Sequence, residues 1–262
     1  MKKIIALVLS LVMVFTFAAC GEKKVDNVAS DLEYIKSNGK LIIGITDYEP
    51  MNFKDEAGKW TGFDTEFAEL VCEKLGVAAE FVEIDWDNKF IALESKSIDC
   101  IWNGMTISEE VKLNTNCTDA YVKNAQVVVM AKDKAADYKD AASMKDLSFA
   151  VEAGSAGATA ASDNGLANIV EAGSQTDALL EVASGSCDAC IIDITMAKAM
   201  VEKDGSSYSE LGIACELTSE EYGIGCRKGS DLTAELNKLM GELKADGTLV
   251  ELASKYELTL AE

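Results

Sequence analysis

The sequence contains no histidine, a single arginine and a single proline in 262 residues. Without histidine it cannot form a Ser-His-Asp or Cys-His catalytic group or a histidine-ligated metal site, and we expect neither a metal ion nor another cofactor. Because Arg227 is the only arginine, an arginine cluster that binds phosphate is excluded. With Pro50 as the only proline, no rigid proline-rich linker separates domains.

Positive charge is also scarce, with 24 Lys plus Arg against 45 Asp plus Glu and a formal net charge of −21. Nucleic acid is therefore an unsuitable partner, since its binding needs a basic surface that neutralises phosphates. A hydrophobic content of 48% indicates a folded chain and not a disordered one. The acidic surface does not identify a ligand, because a high net charge also keeps a secreted protein soluble.

The amino terminus has the pattern of a lipoprotein signal peptide. Lys2 and Lys3 precede an almost wholly apolar run over residues 4–19, and small residues come before Cys20. This pattern predicts a signal peptide over 1–19, a lipidated Cys20 and a tether over 20–33, and therefore an extracytoplasmic protein held at the membrane by its lipid. A membrane-spanning helix is the alternative, but the run is shorter than the roughly 20 residues such a helix needs.

Seven cysteines remain besides Cys20, an odd number that cannot all form disulfides within one chain. Cys187 and Cys190 have the spacing of a redox pair or of half a zinc site. No second CxxC completes a four-cysteine zinc site, and most of the seven lie in apolar runs. We interpret them as buried thiols that pack like small hydrophobic side chains.

Short apolar runs alternate with helical periodicity from residue 40 onward, which is typical of an α/β fold with mainly parallel sheets. The first set predicts strands at 41–45, 81–84 and 98–102 and helices at 63–75 and around 90–93. The second set predicts strands at 126–130, 149–151, 169–170, 190–192 and 222–226, helices at 133–145 and 176–183, and two amphipathic helices that contain Leu232 and Leu249.

An internal similarity indicates two related lobes. Residues 95–101 can be aligned with 184–190, and in each case a predicted helix precedes and a predicted strand follows. The alignment places Gly104 opposite Asp193, each just beyond the carboxyl end of its strand. Ligands of open α/β sheets bind outside these strand ends, so the two positions are candidates for opposite walls of one cleft.

Six motifs, in order and at matching spacing, resemble the type II solute-binding proteins of ABC transporters, family 3, which bind polar amino acids. They lie at residues 62–64, 98–108, 152–155, 188–193, 222–229 and 243–248. The resemblance implies a two-lobed type II periplasmic-binding-protein fold, with a mainly parallel sheet flanked by helices in each lobe and two crossing strands as a hinge. Lobe 1 would comprise 34–125 and 222–262, and lobe 2 would comprise 126–221. The crossings would fall near 125–130 and 220–225.

A free amino acid presents an ammonium, a carboxylate and a side chain, and each needs a partner in a closed cleft. We expect Asp193 to accept from the ammonium, although an aspartate there could instead cap the following helix. Backbone N–H groups of Ser155 and Ala156, where a small-residue helix begins after Gly154, suit a carboxylate.

Further contacts follow from the resemblance. It places Tyr48 and Trp86 as aromatic rings around the ligand, where ordinary packing is the alternative. It also implies ligand contacts from the Gly104–Thr106 segment, including Met105, although Thr106 and Ser108 could instead cap a helix. Glu152 lies in the loop motif of the second lobe and completes the predicted site.

One position departs from the family pattern. The family usually has an arginine five residues after the threonine of this loop, where it grips the ligand carboxylate, and here that position is Val111. The grip is then weakened, replaced by N–H groups, or unnecessary because the ligand lacks that carboxylate. If two of Glu49, Glu152 and Asp193 face the cleft, the site favours a cationic or amine-rich ligand.

These observations predict a monomeric receptor that is anchored by lipid, captures a polar amino acid or related amine, and delivers it to an ABC transporter permease. A dehydratase on the same scaffold is the alternative, with Glu152 and Asp193 as its acid and base. A binder of an amine that lacks a carboxylate is a further one. We expect the protein not to be an enzyme, because nothing else in the sequence marks a reaction.

Overall fold

The computed structural model describes residues 30–262, so the predicted signal peptide over 1–19 and the lipidation of Cys20 lie outside the described residues. The strands are β1 (Lys40–Ile45), β2 (Phe53–Lys54), β3 (Trp60–Thr61), β4 (Ala78–Glu83), β5 (Cys100–Thr106), β6 (Asn116–Cys117), β7 (Val122–Asn124), β8 (Gln126–Ala131), β9 (Ser148–Glu152), β10 (Asn168–Ala172), β11 (Ala189–Asp193), β12 (Leu211–Glu216) and β13 (Glu220–Cys226). The α-helices are α1 (Asp31–Asn38), α2 (Phe63–Leu75), α3 (Lys89–Glu94), α4 (Glu109–Asn114), α5 (Lys132–Ala135), α6 (Ala156–Asp163), α7 (Gln175–Ala183), α8 (Ile194–Met200), α9 (Leu232–Ala245) and α10 (Thr248–Lys255). Short 3₁₀ turns cover Trp86–Asn88 and Ala141–Met144.

Two separate sheets form the centres of two lobes, which confirms the predicted two-lobed α/β fold. The first sheet has the order β4-β1-β5-β13-β6, with β7 also paired to β13, and we call the structure built on it lobe 1. The second has the order β10-β9-β11-β8-β12 and forms lobe 2. In each sheet three parallel strands adjoin one antiparallel strand, which is β13 in lobe 1 and β8 in lobe 2. The strands β5 and β11 therefore occupy equivalent places.

The chain passes between the lobes twice. It leaves lobe 1 at Ala125, between β7 and β8, and returns over residues 217–219, between β12 and β13. Glu220 pairs with Asn124 and Glu221 with Lys123 in the first sheet. These two glutamates therefore belong with lobe 1, whereas the sequence placed them in lobe 2, because the apolar run that predicted β13 begins only at residue 222.

Helix α2 shows how the sequence builds lobe 1. Its apolar residues Phe63, Phe67 and Val71 lie on one face, and all three are buried. The Phe67 ring packs edge-on against Trp102 of β5, with 4.9 Å between ring centroids. The helix begins after Gly62, where a Cβ atom would lie 2.4 Å from a backbone oxygen, so only glycine fits that turn.

The predicted helix over 133–145 is wrong. The segment contains only the short helix α5 and the 3₁₀ turn Ala141–Met144, and in that turn only Met144 is buried. A polar segment with so little apolar surface cannot stabilise a continuous helix by packing. The edge strand β12 was not predicted, because its residues are mostly half-buried and do not alternate clearly.

The seven cysteines of residues 30–262 are free thiols, and five of them are buried. Cys187 and Cys190 are not joined to each other, and burial raises the pKa values of both thiols. Over the same residues, no helix combines the length and the apolar character needed to span a bilayer.

Candidate ligand-binding site

A cleft lies between the two lobes, with an empty volume of about 740 Å³ that includes its solvent-open part. Lobe 1 contributes mainly β5 and the loop after it, and lobe 2 contributes the end of β9, the start of α6 and the end of β11. Nine of the ten predicted binding residues line it, namely Trp86, Gly104, Met105, Thr106, Glu152, Gly154, Ser155, Ala156 and Asp193.

Tyr48 is the predicted contact that does not line the cleft. Its side chain is 2% exposed, and its hydroxyl hydrogen-bonds to the hydroxyls of Thr195 and Tyr222. The ring lies behind Gly104, where a Cβ atom would come within 2.6 Å of it. Tyr48 therefore supports the cleft wall from the core, and it packs there because Gly104 has no side chain and adopts a φ of +54°.

Asp193 is the last residue of β11 and precedes helix α8, but its side chain makes no hydrogen bond to that helix. Its Oδ1 accepts from the side-chain amides of Asn124 and Gln126 and from the hydroxyl of Tyr222, and its Oδ2 accepts from the amide of Gln175. The carboxyl is thus oriented by donors from both lobes and not by a helix end.

Burial raises the pKa of the Asp193 carboxyl to about 7, and the neighbouring carboxylate of Glu220 adds to this shift. The donated hydrogen bonds from Tyr222, Gln175 and Asn124 act in the opposite direction because they stabilise the charged form. A cation beside Asp193 would favour the ionised form further.

Glu152 is 3% exposed, and its Oε1 has no hydrogen-bond partner among residues 30–262. Burial, with a smaller contribution from the charge of Asp193, raises the pKa of this carboxyl to about 8, although the nearby Lys89 charge acts in the opposite direction. A buried carboxyl without a partner is costly. Glu152 ends β9 and lines the cleft. Its carboxyl can therefore accept a hydrogen bond from a ligand that enters from solution.

The N–H groups at the start of α6 differ from each other. The N–H of Ser155 donates to the Glu152 carbonyl at 3.3 Å, and the Ser155 hydroxyl caps the helix by accepting from the N–H of Ala158 at 3.1 Å. The N–H of Ala156 has no acceptor within the described part of the chain. Of the two N–H groups predicted to bind a carboxylate, that of Ala156 is the one left free.

On lobe 1, two predicted contacts are engaged within the protein. The N–H of Gly104 donates to Oδ2 of buried Asp64 at 2.6 Å. The Thr106 hydroxyl donates to Oε1 of Glu220 at 2.7 Å, and it is Ser108 that caps helix α4. Trp86 is 7% exposed and contributes its ring to the cleft wall.

Lys89 is a cleft residue that was not predicted from the sequence. Its side chain is 4% exposed, and its Nζ donates to the carbonyls of Trp86 at 3.1 Å and Gly154 at 2.8 Å. The second bond joins lobe 1 to lobe 2 across the cleft. The spacing of three residues from Trp86 is the available sequence signal, since it places Lys89 one helical turn further along.

No arginine lines the cleft in the described residues. Val111 is 4% exposed and occupies the wall there. Arg227 is buried elsewhere, with its guanidinium 3.0 Å from Asp31 and 3.1 Å from Asp99.

The cleft is lined by more negative than positive side chains. Its carboxyl groups are Glu110, Glu152, Asp163, Asp193 and Glu220, and Lys89 is the cation among the lining residues described. Glu49 lies outside the cleft, where its carboxylate is 3.3 Å from Lys203. Of Glu49, Glu152 and Asp193, the last two thus face the cleft, and a site with two such acids favours a cationic or amine-rich ligand. Gln175 and Glu220 are further lining residues that were not predicted.

A sequence model of the bacterial extracellular solute-binding proteins, family 3, matches residues 41–259. The chain belongs to this family. It is 29% identical over 230 residues to the L-cystine-binding protein TcyJ of Escherichia coli (strain K12), covering 86% of this chain and 85% of that protein. It is also 29% identical to the arginine-binding extracellular protein ArtP of Bacillus subtilis (strain 168), over 98% of both chains.

A solved structure of the same kind is the arginine-bound form of truncated ArgBP from T. maritima. It superposes with a TM-score of 0.75 at 34% sequence identity, covering 80% of this chain and 99% of that one. The type II periplasmic-binding-protein fold implied by the sequence is therefore confirmed. These relatives are named for the amino acids they bind and not for a reaction.

Proposed function

We propose that the protein is a lipid-anchored, extracytoplasmic receptor that captures a cationic amino acid in its interlobe cleft and delivers it to an ABC transporter permease. The charge of the cleft carries this proposal. Five carboxyl groups and one ammonium line it, and two of the carboxyls, Glu152 and Asp193, are almost fully buried. Lys89 is the one ammonium among the described lining residues, and a positively charged ligand would favour the ionised forms of the two buried carboxyls.

In the proposed complex, Asp193 accepts from the α-ammonium and Glu152 accepts from a second positive group. Asp193 is held by four donors, so little reorganisation is needed when a cation arrives. Glu152 has an oxygen without a partner in the described chain and gains its first hydrogen bond from the ligand. Similarity to proteins named for binding arginine agrees with this assignment.

Closure of the lobes around the ligand is the proposed way of capture. The Lys89–Gly154 bond and the contact of the Tyr48 hydroxyl with Thr195 join lobe 1 to lobe 2. Ligand groups that contact both walls would add to these bonds and favour the closed arrangement. The backbone segments at Ala125 and at 217–219 would carry the hinge.

Isothermal titration of the chain from residue 22 onward tests the ligand class. Arginine, lysine and ornithine form the cationic panel, and histidine, glutamine, cystine and glutamate form the comparison panel. We expect the tightest binding from a cationic amino acid. Tighter binding of glutamate than of every cationic amino acid would contradict the proposal, and binding of amines alone would mean that the ligand lacks a carboxylate.

The lipid anchor needs its own test, because it concerns residues outside those described. Expression of the full chain, with Cys20→Ser as the matched variant, should give a membrane-bound protein and a released protein respectively. Mass spectrometry of the amino-terminal peptide should show acyl chains on Cys20. Equal membrane retention of both proteins would contradict lipid anchoring.

A further inference from the structure

Lys89 carries a buried charge that lacks an ionic partner. Both of its hydrogen bonds go to backbone carbonyls, those of Trp86 and Gly154, and within the described residues no carboxylate oxygen lies within 4.0 Å of its Nζ. Buried lysines are rare unless they are paired with a carboxylate. The cleft contains several carboxylates, so the missing pair is a specific feature of this site.

The ammonium of Lys89 has one donor to spare. A lysine ammonium has three N–H groups, and the two carbonyls use two of them. The remaining donor belongs to a side chain that lines the cleft. The Trp86 and Phe90 rings lie within about 5 Å of the Nζ, at 5.0 and 4.8 Å to their centroids, which stabilises the charge and limits its movement.

Lobe 2 offers a second hydrogen-bond donor for an anion, the N–H of Ala156. The Nζ of Lys89 donates to the carbonyl of Gly154, which precedes Ala156 by two residues in the chain. The N–H of Ala156 has no acceptor among the described residues. An anion at this place would contact a full positive charge from lobe 1 and a free N–H from lobe 2. The two observations are independent, because one concerns a side chain and the other a helix start.

We propose that Lys89 and the Ala156 N–H together bind the α-carboxylate of the ligand, in place of the arginine that family members carry where this chain has Val111. Arg227 cannot do so, because it is held by Asp31 and Asp99 away from the cleft. This assignment rests on the proposed function. It makes Lys89 the residue that selects α-amino acids over the corresponding amines.

Among the described residues, the cleft then contains a buried cation without an ionic partner, Lys89, and a buried carboxyl with an oxygen that lacks a hydrogen-bond partner, Glu152. A zwitterionic ligand satisfies both at once. An amine without a carboxylate would satisfy only the acidic side and would leave the Lys89 charge without a partner. Selection against amines therefore follows from the arrangement of charges.

Pairs of ligands that differ only in the carboxylate test the assignment. We choose arginine with agmatine, lysine with cadaverine, and ornithine with putrescine, and titrate the wild type, Lys89→Met and Lys89→Arg. We expect the wild type to bind the amino acid of a pair at least tenfold more tightly than its amine. Lys89→Met should weaken amino-acid binding at least tenfold and change amine binding by less than threefold, and Lys89→Arg should keep most of the preference.

A structural role of Lys89 would give a different result. If the Lys89–Gly154 bond only holds the lobes together, Lys89→Met weakens the amino acid and the amine equally, which would overturn the assignment. Unchanged amino-acid binding would overturn it as well. Lys112→Met removes an exposed cation of the same lobe and serves as the matched control, with no effect on the preference. Circular dichroism of each variant verifies folding.

Failure of the two proposals can be told apart. If the wild type binds neither member of any pair, the proposed function is wrong and the role of Lys89 is wrong with it. If the wild type binds a cationic amino acid and Lys89→Met retains its full affinity, only the role of Lys89 is wrong.

Discussion

The hydroxyl of Tyr222 donates to Oδ1 of Asp193 at 2.8 Å, although the two residues lie in different lobes. Tyr222 is a buried residue of β13 in lobe 1, and Asp193 ends β11 in lobe 2. Asn124, also from lobe 1, donates to the same oxygen. The carboxyl proposed to receive the ligand ammonium is therefore oriented by the contact between the lobes, so ligand binding and lobe closure stabilise each other.

Replacing Asp193 by asparagine should abolish tight amino-acid binding. The change keeps the size of the side chain but removes the charge and places an N–H₂ group where two oxygens accept hydrogen bonds. Loss of one partner of a buried ion pair costs about 3–5 kcal/mol, so the dissociation constant should rise roughly 100-fold or more. Isothermal titration with the preferred amino acid measures the change.

Asp163→Asn is the matched control for this prediction. Asp163 also lines the cleft but is exposed at its rim, where water screens its charge. The dissociation constant of this variant should stay within about threefold of wild type. Similar losses in both variants would show that the net charge of the cleft, and not the position of Asp193, determines binding.

The stability of the unliganded protein should fall as the pH rises from about 5 to about 8. Burial raises the pKa of Glu152 from its ordinary value of 4.5 to about 8, so in this range the folded chain binds a proton that the unfolded chain has released. Stability decreases with pH wherever the folded state binds more protons. The pKa values of Asp64 and Asp193, which burial raises to about 7, contribute with the same sign.

Glu152→Gln isolates the contribution of Glu152. Its free energy of unfolding, from urea titrations at pH 5 and pH 8, should depend less on pH than that of the wild type, by an amount on the order of a few kcal/mol. Glu171→Gln, an exposed acid of the same lobe, should keep the wild-type slope. An unchanged slope in Glu152→Gln would mean that Glu152 is ionised throughout this range.

The sequence predicted the lobe 2 wall of the cleft well because its residues are close in the chain. Glu152 ends the strand β9, residues 154–156 follow it, and Asp193 ends the neighbouring strand β11. Strand ends and helix starts are local features, and their meeting at one edge of a sheet follows from the α/β pattern. The five residues predicted on lobe 2 consequently line one cleft.

The contacts that cross the cleft were not predicted, since they depend on how the lobes meet. Lys89 reaches Gly154 of the other lobe, and Glu220 reaches the cleft from a strand that returns after lobe 2. Tyr48 was assigned to the ligand by resemblance. Its burial depends on space left by Gly104, a tertiary detail that its own sequence neighbours do not contain.

Gly104→Ala should destabilise the protein by about 2–5 kcal/mol. The residue has a φ of +54°, where an L-residue is strained by about 1–2 kcal/mol. An added Cβ would also lie 2.6 Å from the Tyr48 ring, and such overpacking costs about 1–3 kcal/mol. Chemical denaturation measures the loss.

Gly185→Ala separates the two causes of that loss. Gly185 has a φ of +78° but no atom within 4 Å of an added Cβ, so it carries the strain without the clash. Its loss should be about 1–2 kcal/mol. Equal losses in the two variants would mean that the Tyr48 ring moves aside easily and does not define the cleft wall.

Arg227→Met should reduce stability and leave ligand affinity intact. The guanidinium is buried between Asp31 and Asp99 and also donates to the carbonyl of Ile98 at 2.7 Å. Removing it leaves the buried carboxylates without their cation, which costs about 3–5 kcal/mol. Because Arg227 does not line the cleft, the dissociation constant of the folded variant should stay within about threefold of wild type. The matched control is Lys228→Met, which removes an exposed charge and should change neither the stability nor the ligand affinity. A large loss of affinity at unchanged stability would instead place the single arginine in ligand binding and would remove the need for Lys89 as its substitute.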